Sequence, residues 1–187
     1  GAIIGSCVLG VGLVAANGQT SLEAVVLPII LAALGIVISI ICTFFVRTHE
    51  GGNPQHALDR GTIAAAVVMA ISTYFMAWLV LPEGGVVAGD GMNINAMGIT
   101  VAVGGGLIAG TLIGKITEFY TSESFGSVKA IAKASETGTA TNIIQGIAVG
   151  LLSPVMPVIL IASAILVAYV SADLYGIALA ALGMLAT

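Results

Sequence analysis

Six apolar blocks, separated by short polar loops, make up most of this chain. Of its 187 residues, 58% are hydrophobic and only 7% are charged, whereas a soluble domain is about one quarter charged. Lipid must therefore be the solvent for most of the surface, and about 20 apolar residues in a helix cross a bilayer. The blocks, each predicted to be a helix, cover residues 1–16, 25–46, 61–81, 94–117, 139–172 and 174–187.

The apolar blocks favour helices over strands. None of them alternates with the period of two that the strands of a membrane barrel require, and a bilayer demands that every backbone polar group find an internal partner. Gly contributes 25 residues, which is typical of helices that pack closely against one another. The sequence predicts an all-α fold, a polytopic transmembrane helix bundle that forms a single transmembrane region.

The basic residues occupy every second loop. All five Lys and Arg residues lie within 47–60 and 115–140, and the other three loops contain none. Because Lys and Arg favour the cytoplasmic side of a membrane protein, these two loops are predicted to be cytoplasmic and the others external. No basic patch with interleaved aromatic residues suggests a nucleic-acid partner.

Both ends of the chain favour an internal piece of a larger protein. Gly1 opens the first block with no Met and no basic region before it, which argues against a signal peptide. The last block ends at Thr187 before it is long enough to span a bilayer. We therefore expect the first and last helices to be truncated.

The candidate metal and redox residues have simpler interpretations. Cys7 and Cys42 lie in apolar blocks, where small core residues are more common than disulfides. His49 and His56 share a loop with one nearby acid and no thiol, so we expect solvated histidines rather than a metal site. No carboxylate lies in the middle of a complete block, and an ion path needs one.

Three local patterns predict details of packing. Small residues recur every fourth position in the fourth block, at Gly98, Ala102, Gly106, Gly110 and Gly114, which favours a close helix–helix contact over a pore lining.

Lys115 and Glu118 are one turn apart and can pair. Residues 128–134 form a short amphipathic stretch, and two prolines are expected to kink the long block 139–172. The two prolines are Pro154 and Pro157.

Three stretches carry a family resemblance. They read GKITEFYTS at 114–122, TGTATNIIQG at 137–146 and DLYGIALAALGMLAT at 173–187. In wording, order and spacing they resemble consecutive signatures of the membrane-integral pyrophosphatases, ion pumps that are driven by pyrophosphate hydrolysis. The resemblance covers essentially the whole chain.

The resemblance implies a fold of sixteen helices in two rings and a homodimer. Blocks two to five are similar to outer-ring helices, and the last block is similar to the start of an inner helix. The chain would then be a segment of a pump that couples hydrolysis of Mg²⁺-pyrophosphate on the cytoplasmic side to outward transport of H⁺ or Na⁺. The catalytic residues and Mg²⁺ ligands of the family, and the residue that decides its K⁺ dependence, correspond to positions outside this chain. A prokaryotic inner (cell) membrane is the expected location.

Four polar residues near the basic loop are candidates for a supporting role, namely Glu118, Tyr120, Thr141 and Asn142. They could form hydrogen bonds that brace the inner ring and the dimer interface. They could equally cap helices, with Thr or Asn side chains satisfying free amides. Both interpretations remain open from the sequence.

A second class of protein is also compatible with many Gly residues and interrupted helices, namely a secondary transporter. Such a protein needs an unwound polar site at mid-membrane, and blocks two to four contain no clear one. The sequence does not choose between H⁺ and Na⁺ for the pump.

Overall fold

The structure is a computed structural model that describes residues 1–15, 20–44, 46, 54–81, 85–88 and 91–185, without side chains at 15 and 54–56. The chain forms two compact units. One comprises Gly1–Gly110 and Ala164–Thr187, and the other Thr111–Ser163. The division falls within two long helices.

Helices make up most of the described chain, and the predicted all-α membrane helix bundle is confirmed. Among the described residues, four segments are long and apolar enough to cross a membrane: Leu22–Thr43, Ala57–Val80, Ala96–Ser135 and Thr139–Leu185. The helices described are α1 (Ala2–Val11), α2 (Leu22–Thr43), α3 (Pro54–Val80), α4 (Ala96–Thr121), α5 (Gly126–Ser135), α6 (Thr139–Leu152) and α7 (Val155–Leu185).

The core of the first unit lies between α2, α3, α4 and the C-terminal part of α7. Its largest fully buried side chains include Leu27, Met69, Ile99 and Leu179. Ser21 fixes the start of α2, because its side-chain oxygen accepts a hydrogen bond from the backbone N–H of Ala24, as an N-cap residue does.

A small antiparallel sheet connects two of the loops. Its strands are β1 (Val14–Ala15), β2 (Val86–Val87) and β3 (Asn93–Ile94), in the order β1-β2-β3. β1 follows α1, whereas β2 and β3 both lie between α3 and α4. The sequence-based expectation of helix alone missed this sheet, because strands of two residues are too short to show a period of two.

Helix α7 folds back on itself in its middle. Ala172 and Asp173 have non-helical backbone angles, and φ of Asp173 is +54°. A Cβ at Gly176 would collide with the carbonyl oxygen of Ala168, although eight residues of straight helix would separate them by about 12 Å. The chain therefore reverses at 172–173 and joins two limbs, residues 155–171 and 174–185.

The small-residue face of α4 packs against both limbs. A Cβ at Gly98 would collide with the carbonyl of Ser171, and one at Gly105 would lie 3.6 Å from Val167. Towards the other end, Gly106 abuts the backbone of Ala180 and Gly110 abuts Met184. The predicted close helix contact is confirmed at Gly98, Gly106 and Gly110, whereas Gly114 has nothing within 4 Å.

The second unit contains the amphipathic stretch, which lies in α5, and residues 139–163 of the interrupted apolar block 139–172. The interruption falls at Ser153 and Pro154, between α6 and α7. Pro154 cannot donate to the carbonyl of Gly150, and the Ser153 hydroxyl donates to that oxygen instead, at 3.0 Å. The kink predicted from the prolines is thus present as a break before Pro154.

Several helix ends differ from the sequence-based ranges. α3 begins at Pro54, earlier than 61, because proline suits the first helical position. α1 ends at Val11, earlier than 16, since the chain passes into β1. α4 continues to Thr121, beyond 117. The predicted roles of Arg47 and His49 fall outside the described residues, and the side chain of His56 is not described.

Candidate functional site

The four candidate residues all lie in the second unit. Glu118 and Tyr120 belong to the last turns of α4, and Thr141 and Asn142 belong to the first turn of α6. α5 connects the two helices and packs against α6. The sequence distance between the pairs is therefore bridged by one short amphipathic helix.

Glu118 forms an ion pair on its own helix. Its Oε2 lies 3.3 Å from Nζ of Lys115, one turn earlier, which confirms the predicted pairing. The Lys side chain is about half exposed, at 49%, so the pair contributes at most about 1 kcal/mol to stability. The pair neutralises two charges at the end of a membrane-length helix.

Tyr120 belongs to an aromatic cluster at the same helix end. Its ring meets that of Phe119 edge to face, with centroids 5.3 Å apart, and Phe119 also contacts Phe125 at 5.1 Å. Such tilted aromatic pairs add stabilisation beyond their buried area. Phe125 immediately precedes α5, so the cluster holds the start of α5 against the end of α4.

A cavity of about 410 Å³ lies within the second unit and brings Tyr120 close to α6. Thr117 and Tyr120 line it from α4, Ile131 from α5, and Gly146 and Gly150 from α6. Tyr120 is its only lining residue with an ionisable side chain. The lining of this cavity therefore offers no acid–base pair for hydrolysis.

Thr141 joins the end of α5 to the start of α6. Its hydroxyl oxygen lies 2.8 Å from the carbonyl oxygen of Gly138, 3.1 Å from that of Ala134 and 2.7 Å from the Thr137 hydroxyl. These contacts satisfy carbonyl oxygens near the helix ends, whereas the capping interpretation required a side chain that accepts from a free amide, and none caps the start of α6. They stay within residues 134–141 and do not reach Glu118 or Tyr120.

Asn142 differs from its neighbour. Its backbone N–H donates to the carbonyl of Gly138, but its side-chain Oδ1 is buried with no hydrogen-bond partner among the described atoms. A buried acceptor without a partner costs stability. Asn142 therefore does not act as a cap through this oxygen.

Sequence reasoning missed one buried polar contact, in the first unit. The Tyr175 hydroxyl donates a 2.7 Å hydrogen bond to the carbonyl oxygen of Ala24, and this bond is buried. The signal was present in Pro28, which removes the N–H that would otherwise bond to that carbonyl. The partner is 151 positions away along the chain, so the sequence pattern could not name it.

The described side chains do not fit a magnesium site. Mg²⁺ is held by carboxylate and phosphate oxygens in octahedral geometry. Among the residues that the structure describes, no three His, Cys, Asp or Glu side chains lie close enough together to hold a metal ion. Cys42 is buried, as predicted for a small core residue, whereas Cys7 is only partly buried.

Known proteins are similar to this chain over its whole length. A putative K⁺-stimulated pyrophosphate-energized sodium pump of Clostridium tetani is 40% identical over 100% of the chain. A K⁺-insensitive pyrophosphate-energized proton pump of Moorella thermoacetica is 39% identical over 98% of the chain, and one of Caldanaerobacter subterraneus is also 39% identical over 98%. The chain spans about a quarter of the length of these relatives, 26% for the first two and 27% for the third.

The family assignment agrees with the architecture. Residues 1–187 match the family described as inorganic H⁺ pyrophosphatase, and the resemblance read from the three polar stretches is confirmed. The membrane-length helices make the chain part of an integral, multi-pass membrane protein. This chain belongs to the inorganic H⁺ pyrophosphatase family.

Proposed function

We propose that the whole protein is a membrane pump that uses hydrolysis of pyrophosphate to transport H⁺ or Na⁺. The observation that carries the proposal is the family match over all 187 residues. In such a pump Mg²⁺ would bind the pyrophosphate, and parts of the protein outside this chain would supply the carboxylates. Residues 1–187 alone are expected to hydrolyse no pyrophosphate.

The transported ion needs its own experiment. The sodium-pump relative and a proton-pump relative differ by a single percentage point of identity to this chain, 40% against 39%. The name of the sodium-pump relative describes it as K⁺-stimulated, and that of the proton-pump relative describes it as K⁺-insensitive. Overall similarity therefore favours neither ion, and K⁺ dependence is to be measured together with ion specificity.

Reconstitution tests the pumping function. Full-length protein in sealed liposomes receives pyrophosphate and Mg²⁺ with and without K⁺, while phosphate release, acidification and ²²Na⁺ uptake are followed. Phosphate release coupled to uptake of one ion is the expected result. A protein that releases no phosphate but moves a solute down an ion gradient would be a secondary transporter instead.

The orientation proposal follows from the charges. The segment between α4 and α6 contains Lys129 and Lys133. Because Lys residues favour the cytoplasmic side of a membrane protein, we place this segment on the cytoplasmic side of a prokaryotic cell membrane. Ser124→Cys places a thiol at an exposed position of this segment. The thiol should react with an impermeant maleimide in inside-out vesicles and stay unreacted in intact cells.

The scaffold proposal concerns the second unit and the first limb of α7. Only 6% of the most apolar 18-residue stretch in Thr139–Leu185 is buried, against 33% in Leu22–Thr43. This large apolar surface suits the lipid bilayer, the rest of the pump and a second subunit. We assign the segment to the outer ring and to the interface of a homodimer, which native mass spectrometry of the full-length protein can test.

Asn142 provides the sharpest test of the bracing role. Its Oδ1 forms no bond with the described chain, so Asn142→Ala should change the stability of the segment by less than about 1 kcal/mol. If Asn142 bonds to the rest of the pump, hydrolysis and ion transport should both fall. Wild-type rates for both would remove the bracing role, and Thr139→Ala at an exposed position of the same turn is the control.

A further inference from the structure

Pro28 leaves a carbonyl oxygen without its usual partner in the first turns of α2. In a regular helix the oxygen of Ala24 would accept the N–H of residue 28, but proline has no N–H. The Tyr175 hydroxyl fills this vacancy at 2.7 Å, and its side chain is only 2% exposed. The proline in α2 thus creates an acceptor that the second limb of α7 uses.

A second proline-freed carbonyl in the chain finds its hydrogen-bond donor on the same helix turn. Pro154 frees the carbonyl of Gly150, and the adjacent Ser153 hydroxyl donates to it. In α2 the residue before the proline is Leu27, which has no donor on its side chain. The donor therefore comes from another helix, and the bond connects two elements instead of repairing one.

Water cannot easily replace the tyrosine. α1 passes close to the same carbonyl, since a Cβ at Gly10 would lie 2.6 Å from the Ala24 oxygen and 3.2 Å from Cα of Val25. The bond itself is buried. A buried acceptor that loses its donor carries the full cost of its desolvation, so the interaction strongly favours the observed position of Tyr175.

Two large side chains of the limb, Leu179 and Leu182, are fully buried, but its closest contacts with α4 are made by small residues. Helices normally fix their relative position by fitting side-chain ridges into grooves. Here the limb meets α4 through small residues, with Gly106 against the backbone of Ala180 and Gly183 against the backbone of Val103. Such an interface permits close approach, but it offers only shallow ridges along the axis.

We propose that Tyr175 is a positioning residue of the pump, which fixes the second limb of α7 along its axis by anchoring it to the proline-opened turn of α2. The inference rests on the proposed pumping function for its transport readout, and it is independent of that function for its structural readout. Because Tyr175 lies near the start of the limb, a displacement should be visible at the far end.

An engineered disulfide reports the position of the limb. A Cβ at Gly110 would lie 3.8 Å from the Cβ of Met184, and disulfides have a mean Cβ–Cβ distance of about 3.8 Å. Gly110→Cys with Met184→Cys, in full-length protein whose native cysteines are replaced by Ala, should cross-link readily under mild oxidation. The initial rate of cross-linking is measured in membranes.

Two further substitutions separate positioning from simple hydrogen-bond satisfaction. Tyr175→Phe removes the bond and leaves the Ala24 carbonyl unpaired. Pro28→Ala restores an N–H inside α2, so the double variant Pro28→Ala/Tyr175→Phe satisfies the carbonyl without connecting the helices. Folding should recover in the double variant, yet cross-linking should remain about fivefold slower than in the parent, the ratio that one net hydrogen bond sustains.

The outcomes are distinguishable. Parental cross-linking in the double variant would show that Tyr175 only satisfies a carbonyl, and the proposal would be wrong.

Slow cross-linking should be accompanied by fewer ions moved per pyrophosphate hydrolysed, and an unchanged ratio would remove Tyr175 from the pumping cycle. A wild-type protein that hydrolyses no pyrophosphate would refute the pump but leave the cross-linking result intact. Tyr169→Phe, at an exposed tyrosine of the other limb, should change neither readout.

Discussion

Replacement of Gly106 by Ala tests the backbone contact between α4 and the second limb of α7. The added Cβ would lie 2.8 Å from the carbonyl carbon of Ala180 and 2.9 Å from its Cα. Unbonded carbon atoms pack at about 3.5–4.0 Å, so the two helices would have to separate by about 0.6–1.2 Å. The obstacle is backbone, which cannot rotate away as a side chain can.

The expected cost is about 1–3 kcal/mol of unfolding free energy, the usual range for an extra methylene group in a packed core. The same substitution at Gly104, on the same helix, meets nothing within 4 Å and should be neutral or slightly stabilising, because Ala is the better helix former. Gly110→Ala should fall between them, since its nearest neighbour is the flexible Met184 side chain at 3.1 Å.

Unfolding of the full-length protein by SDS in mixed micelles, followed by circular dichroism, gives the three free energies. The predicted order of destabilisation is Gly106→Ala, then Gly110→Ala, then Gly104→Ala. Equal stability of the Gly106 and Gly104 variants would refute the backbone contact. Gly114→Ala supplies a second control on the same face, because that glycine also has nothing within 4 Å.

Two further substitutions test local features. Asp173→Gly should stabilise the protein by about 1 kcal/mol, because φ of Asp173 is +54° and a side chain is costly there; a loss of stability in thermal denaturation would instead reveal a contribution of the carboxylate. Thr141→Val removes the hydroxyl that links α5 to α6 and should cost about 0.5–1.5 kcal/mol. Thr141→Ser should restore wild-type stability, and its failure to do so would attribute the effect to the methyl group.

The sequence predicted the features that a bilayer imposes. Apolar runs of membrane length became α2 and α4, because a lipid-exposed backbone has no alternative to the helix. The small residues at Gly98, Gly106 and Gly110 predicted a close contact, because a face without large side chains lets the backbone of another helix approach. Lys115 and Glu118 paired because their spacing of three residues is itself helical geometry.

The remaining features depend on contacts between distant residues. The sheet needs Val14 to meet Val87 across the chain, and strands of two residues leave no periodic pattern. The reversal of α7 contains neither Gly nor Pro, and Asp173 adopts a backbone conformation that usually belongs to glycine. Among the candidate residues, the polar position of Asn142 at the start of an apolar block was visible in the sequence, but the lack of a partner for its Oδ1 among the described atoms was not.

The reversal of α7 also decides where the protein accepts inserted sequence. Its two non-helical residues, Ala172 and Asp173, are both buried, and the adjoining Ser171 abuts Gly98. An epitope tag or a protease site inserted there would have to separate the limbs before it could be recognised. Reporter fusions that map membrane sidedness therefore belong in the exposed residues 123–125. An insertion at 172–173 would disrupt the packing of the two limbs, so its accessibility would not report the membrane topology of the native protein.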